Sequence, residues 1–222
     1  MSLATQVALT VGPLAGYLYL VGVWQSGRHP RVVSGRVDFA VLAFGVSGLV
    51  TVGPVGQVLM ELIFGAPGAI GWGLWLLFLA LWTTVFAGLA SRRIVVYNVE
   101  PGPIREAIGA TLAELPGPTY QATLTGFESA EDGRAVHVDG SLAFRVATID
   151  VRGREPEGLA RAIRGPLRDR LRSVAARPTR VTWALFALSW LTMLSPLLSF
   201  LVSEPRARAA MRAIWLKITG RA

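Results

Sequence analysis

The stretch FAGLASRRIVVYNVEPGPIREAIGATLAEL, residues 86–115, decides how the whole chain reads. Its first five residues close a long apolar run, and Ser91, Arg92 and Arg93 end that run with two adjacent cations. RIVVYNV (93–99) is a β-branched series, the composition of a strand. The prolines of EPGP mark a helix start, and Ile104, Ile108, Leu112 and Leu115 then recur on one helical face. An apolar helix thus gives way to a strand and an amphipathic helix suited to water.

Upstream the chain stays apolar. The 222 residues are 52% hydrophobic and 16% charged, where a soluble domain carries about 25% charged residues. Residues 1–91 hold only Arg28, Arg31, Arg36, Asp38 and Glu61 as charges, with His29 beside them. Crossing a bilayer takes roughly 20 helical residues. Four runs reach that length: about 5–24, 39–64 and 70–90, all within 1–91, and then 181–202. No basic residue precedes the first, so a cleaved signal peptide is not expected. GAPGA (65–69) joins the second and third as a hairpin. Trp24, Trp72 and Trp183 fall near run ends, where indole favours the headgroup layer.

Downstream, residues 92–180 read as a small soluble α+β domain inserted between the third and fourth spans. TYQATLTGFES (119–129) and RAVHVDG (134–140) are short strands around the turn AEDG. SLAFRVATIDVRG (141–153) is a further strand with Phe144, Val146 and Ile149 inward. In residues 155–177 Leu159, Ile163, Leu167, Leu171 and Val174 line one helical face. One sheet covered on one side by two helices resembles a ferredoxin-like layout in element order, a resemblance that carries no function.

Arg161, Arg164, Arg168 and Arg172 lie within about 80° of one another at 100° per residue. They form a basic stripe beside the apolar face, suited to solvent or to anionic headgroups. The tail, 203–222, repeats the pattern. Ser203 is its N-cap, Ala207, Met211, Ile214, Trp215 and Ile218 share a face, and Arg206, Arg208, Arg212 and Lys217 lie off it. That is the pattern of an interfacial amphipathic helix.

With four spans, Arg28, Arg31 and Arg36 share a side with Arg92, Arg93, Arg177 and Arg180. The positive-inside rule then gives a multi-pass protein of the cell membrane with its soluble domain cytoplasmic. The cations of the tail oppose this, unless Pro196 breaks the last span into a re-entrant hairpin.

The chemistry is sparse. There is no cysteine, which excludes disulfides, thiolate metal sites and cysteine nucleophiles. His29 and His137 are too far apart for a zinc motif. No phosphate loop occurs, and GVSGL (45–49) approaches a nucleophile elbow only inside an apolar helix. Glu131-Asp132 and Glu155/Glu157 suit turns and a helix start. No catalytic residue, cofactor or metal ligand is assigned. The net charge of +8 rests on 22 basic residues, all arginine except Lys217. No basic run is interleaved with stacking aromatics, so the partner expected is anionic lipid rather than nucleic acid.

In the second span Pro54 should kink the helix, and Gln57 and Glu61 lie four residues apart on one face. They form a candidate intramembrane polar site. Glu61 is also three residues from the span's end, where a carboxylate reaches water. The expected role is a non-enzymatic assembly, scaffold or binding subunit working through the soluble domain. Its expected partners are the bilayer with its anionic headgroups, and a membrane-protein partner or a second copy. The alternative is a small homo-oligomeric transporter or channel component with Gln57 and Glu61 on its pathway. A third reading is a membrane enzyme with its site at the junction of domain and bilayer.

Overall fold

The computed structural model describes residues 3–64 and 69–203. Helices α1 (Leu3–Ser26), α4 (Ala69–Leu89) and α7 (Arg180–Ser203) are continuous. Each is long and apolar enough to cross a membrane by length and composition. The second expected span is not one helix. It consists of α2 (Gly35–Thr51) and α3 (Pro54–Phe64), bent by 67° at the break between them. Among the described residues the number of candidate spans is therefore three, or four if this pair counts as one. α7 continues through Pro196 without a break, so the hairpin considered for that position does not form. The turn at 65–68 and the tail from 204 lie outside the described residues.

The bend has a covalent cause. Pro54 has no N–H, so the Val50 carbonyl four residues earlier loses its helical donor. The ladder closes just before it, where the N–H groups of Val52 and Gly53 both donate to Gly48 O at 3.1 and 3.0 Å. A side chain from α4 satisfies the orphaned carbonyl: Trp75 Nε1 donates to Val50 O at 3.2 Å, with Trp75 only 2% exposed. Nearby glycines allow close helix contact. A Cβ on Gly48 would collide with the backbone of Leu9 and Thr10, and one on Gly45 with the Tyr17 ring. Ser189 Oγ on α7 donates to Ala15 O on α1 at 2.9 Å.

The chain divides into two compact units: Met1–Tyr19, Phe44–Leu76 and Phe186–Ala222 form one, and Leu20–Ala43 and Leu77–Leu185 the other. The second is organised by an antiparallel sheet of six strands. These are β1 (Arg31–Ser34), β2 (Arg93–Tyr97), β3 (Gln121–Ala122), β4 (Gly126–Glu128), β5 (Ala135–Ser141) and β6 (Val146–Arg152), in the order β1-β2-β6-β5-β4-β3. Helices α5 (Pro101–Glu114) and α6 (Pro156–Leu171) supply the apolar layer against it. Strand alternation decides which side chains meet them: Val32, Ile94, Val96, Val136, Ala147, Ile149 and Val151 all enter one core. Ile104, Ile108 and Leu112 enter it from α5, and Leu159, Ile163, Leu167 and Leu171 from α6, as their spacing predicts. Each fully buried aliphatic side chain contributes roughly 1.5–3 kcal/mol.

Three features depart from the sequence reading. Residues 31–34 form an edge strand, with Val32 opposite Val96 and Val33 opposite Val95. The sheet therefore takes a strand from outside residues 92–180. The ferredoxin-like order would end on a strand after the second helix, but α6 leads on to α7, and β1 fills the edge beside β2. Finally, residues 141–153 are not one strand. A hairpin turn spans residues 142–145 and leaves Phe144 58% exposed. Pairing decides this: Ser141 already faces Val146, so the residues between them can only turn.

Candidate functional site

The eight residues 27–34 join α1 to α2, and six of them, Gly27, Arg28 and the four of β1, are tied to the sheet unit. Gly27 O accepts a bond from Asn98 Nδ2 at 2.9 Å, and Arg28 O one from Ala176 N at 2.8 Å. Asn98 is buried, with φ of 59°, a left-handed conformation that asparagine tolerates better than most residues. Val32 O accepts from Arg168 on α6 at 3.4 Å. The Trp24 ring packs on Tyr97 at 5.1 Å between centroids, and the Arg31 guanidinium sits 5.6 Å over Trp24. Tyr97 Oη donates to Asp38 Oδ1 at the start of α2. This side of β1 and β2 is thereby covered by the ends of α1 and α2, and Val33 and Val95 are buried there.

Because β1 runs beside α6, the arginines of the connection meet those of the helix stripe. They line two clefts. The smaller, of about 150 Å³, is formed by Ser34, Arg36, Ser91, Arg93, Ile94, Glu157, Ala160, Arg161 and Arg164. The larger is open, of about 490 Å³, and brings Arg28 and Arg31 together with Arg168 and Arg172. Gly35 makes the first cleft possible. A Cβ there would collide with the Ala90 carbonyl and lie 2.8 Å from the Arg93 Cβ, so only glycine lets α2 start this close to β2.

The charges in these clefts are unevenly neutralised. Arg93 shares Asp150 with Arg92 and Arg152, at 3.7, 3.6 and 3.0 Å. Arg172 pairs with Asp169 at 3.2 Å. Among the described residues Arg36, Arg161 and Arg164 have no carboxylate within 4.0 Å. Glu157 stands four residues before Arg161, yet its carboxylate takes a hydrogen bond from Ser91 Oγ instead. Arg170, off the stripe, reaches Glu114 on α5 and by that hydrogen bond holds the carboxyl below its usual range.

The other expected site residues are placed differently. Gln57 and Glu61 are both exposed on α3, and Gln57 Nε2 donates back to Val52 O at 3.3 Å. Arg206, Arg208, Arg212, Trp215 and Lys217 lie outside the described residues. His137 lies on β5 opposite Asp150, with Nδ1 3.5 Å from Thr125 Oγ1. A third cleft, of about 180 Å³, holds Tyr120, Arg134 and Glu155 among apolar residues. There Arg134 is taken by Asp132 at 2.9 Å, and burial raises the Tyr120 hydroxyl above its ordinary pKa. Among the described residues no three His, Asp or Glu side chains converge as metal ligands.

Sequence reasoning found the α6 half of the basic surface and missed the other half. Arg28, Arg31, Arg36 and Arg93 read as a topology signal, while their role in the clefts depends on β1. The available signal was RVVS followed by glycine, a β-branched pair ending at a punctuating residue. No family model, curated protein or solved structure matches the chain.

Proposed function

We propose that this is a multi-pass membrane protein acting as a non-enzymatic binding or assembly subunit. Its sheet unit works at the bilayer surface, on the cytoplasmic side, and holds anionic headgroups. One observation carries the reading. Eight arginines from separate parts of the chain, Arg28, Arg31, Arg36, Arg93, Arg161, Arg164, Arg168 and Arg172, line two clefts beside the ends of apolar helices. Such a concentration of like charge favours an anionic partner, and lipid phosphates are the anions nearest to helix ends that emerge from a bilayer.

Reconstitution into nanodiscs tests this. Each arginine near an anionic surface is worth about 1 kcal/mol, and 1 kcal/mol shifts the melting midpoint of a chain this size by roughly 2–4 °C. Discs containing phosphatidylglycerol should therefore melt several degrees above pure phosphatidylcholine discs, with the difference shrinking at high salt. Equal midpoints in both lipids would refute the reading. The break between α2 and α3 favours a second reading, since interrupted helices mark ion paths in transporters. Ion flux in the same lipids that Glu61→Gln abolishes would select it.

A further inference from the structure

Resting on that headgroup reading, we propose that the smaller cleft is a binding site for a terminal phosphate monoester group. Three guanidinium groups line it, Arg36 from α2 and Arg161 and Arg164 from α6, with no carboxylate within 4.0 Å of them among the described residues. Arg93 adds a fourth that is only partly neutralised by Asp150 at 3.7 Å. These cations come from three elements, and the close crossing at Gly35 holds them together at an electrostatic cost that a bound anion would relieve.

The remaining lining fits the same ligand. Ser34 caps α2, its Oγ accepting from Val37 N at 3.4 Å, so the positive end of a helix of 17 residues borders the cleft. The carboxylate present, Glu157, would repel an anion, and Ser91 holds it by a hydrogen bond. A volume of about 150 Å³ takes a phosphoryl group and leaves an attached chain outside.

Charge selects the ester type. A phosphate monoester carries about −1.5 to −2 at neutral pH and offers three terminal oxygens. A diester offers two and a single charge. Guanidinium forks bind such oxygens in pairs. The larger cleft is a poorer candidate, because Arg168 already donates to Val32 O and Arg172 is paired with Asp169.

The test uses the full-length protein in nanodiscs. Inorganic phosphate and pyrophosphate are titrated by calorimetry into phosphatidylcholine discs. In parallel, melting is compared between discs holding phosphatidic acid, a monoester, and discs holding phosphatidylglycerol, a diester, at matched lipid charge. The expected result is a phosphate-dependent signal that Arg161→Gln/Arg164→Gln weakens by about tenfold or more. Arg36→Gln should weaken it as well, Arg154→Gln, at an exposed arginine outside both clefts, should leave it unchanged, and Glu157→Gln should strengthen it. Binding of soluble phosphate with no added effect of phosphatidic acid identifies a soluble ligand. A phosphatidic acid effect that inorganic phosphate competes away identifies the lipid. Both support the site. Equal stabilisation by the two anionic lipids, untouched by Arg161→Gln/Arg164→Gln, would overturn the site and leave the headgroup reading standing. No effect of any phosphate or anionic lipid would overturn both.

Discussion

Replacing Val32 with aspartate should destabilise the sheet unit by about 3–5 kcal/mol. Read from the sequence alone, Val32 is one residue of a short polar connection between two apolar helices, where a charge should be harmless. In the structure it is 4% exposed, faces Val96 across the ladder and enters the core beneath α6. A carboxylate there is desolvated among aliphatic side chains. Leu124→Asp is the matching control. Leu124 lies in the strand-rich segment but is 95% exposed, so the same change should stay within about 0.5 kcal/mol. Thermal melting of both variants in detergent, followed by near-ultraviolet dichroism, checks the ordering. The opposite ordering would mean that the connection is a solvated loop.

The second large effect concerns the break between α2 and α3. Trp75→Phe keeps a ring but removes the donor that satisfies Val50 O. A buried carbonyl left without a partner costs about 1–3 kcal/mol, and the smaller ring adds some lost packing. Part of that loss should depend on Pro54. Alanine at position 54 restores the N–H that proline lacks, and Val50 O regains a helical donor. The penalty of Trp75→Phe should therefore fall by about 1 kcal/mol or more in the Pro54→Ala background, a coupling that a double-mutant cycle measures directly. Equal penalties in both backgrounds would mean that the indole serves as packing alone.

Much of the architecture was legible because it rests on periodicity. The apolar runs, the strand at residues 93–97 and the inward faces of α5 and α6 follow from side-chain spacing, and the structure buries Ile104, Ile108, Ile163 and Leu167 completely. The bend was legible in part. Pro54 announces a missing hydrogen bond, whereas the indole that replaces it comes from 25 residues away and leaves no local trace. Phe144 misled because an aromatic in a β-branched stretch suggests a strand, and only the pairing of Ser141 with Val146 shows a turn. The clefts were half legible. An arginine stripe on one helix is a local pattern, while its meeting with Arg36 and Arg93 depends on a four-residue strand. So short a strand draws its stability from its neighbour, and four residues of sequence cannot specify a partner.

Strand β1 ties the connection between two apolar helices into the sheet and gathers the arginines into clefts. The chain contains no cysteine, so an introduced pair can report on it without background. Val33 and Val95 stand directly opposite each other in β1 and β2 and share a face. Opposed residues in an antiparallel ladder lie about 4.5–5.5 Å apart at Cα, within reach of a disulfide. Val33→Cys/Val95→Cys, oxidised in native membranes and assayed by intact mass, should lose two hydrogens almost completely. The offset pair Val33→Cys/Val96→Cys places its thiols on opposite faces and should stay reduced. Efficient bridging of the first pair alone is the predicted result. Failure of the first pair to bridge, or equal bridging in both, would contradict the pairing of β1 with β2 and the clefts that depend on it.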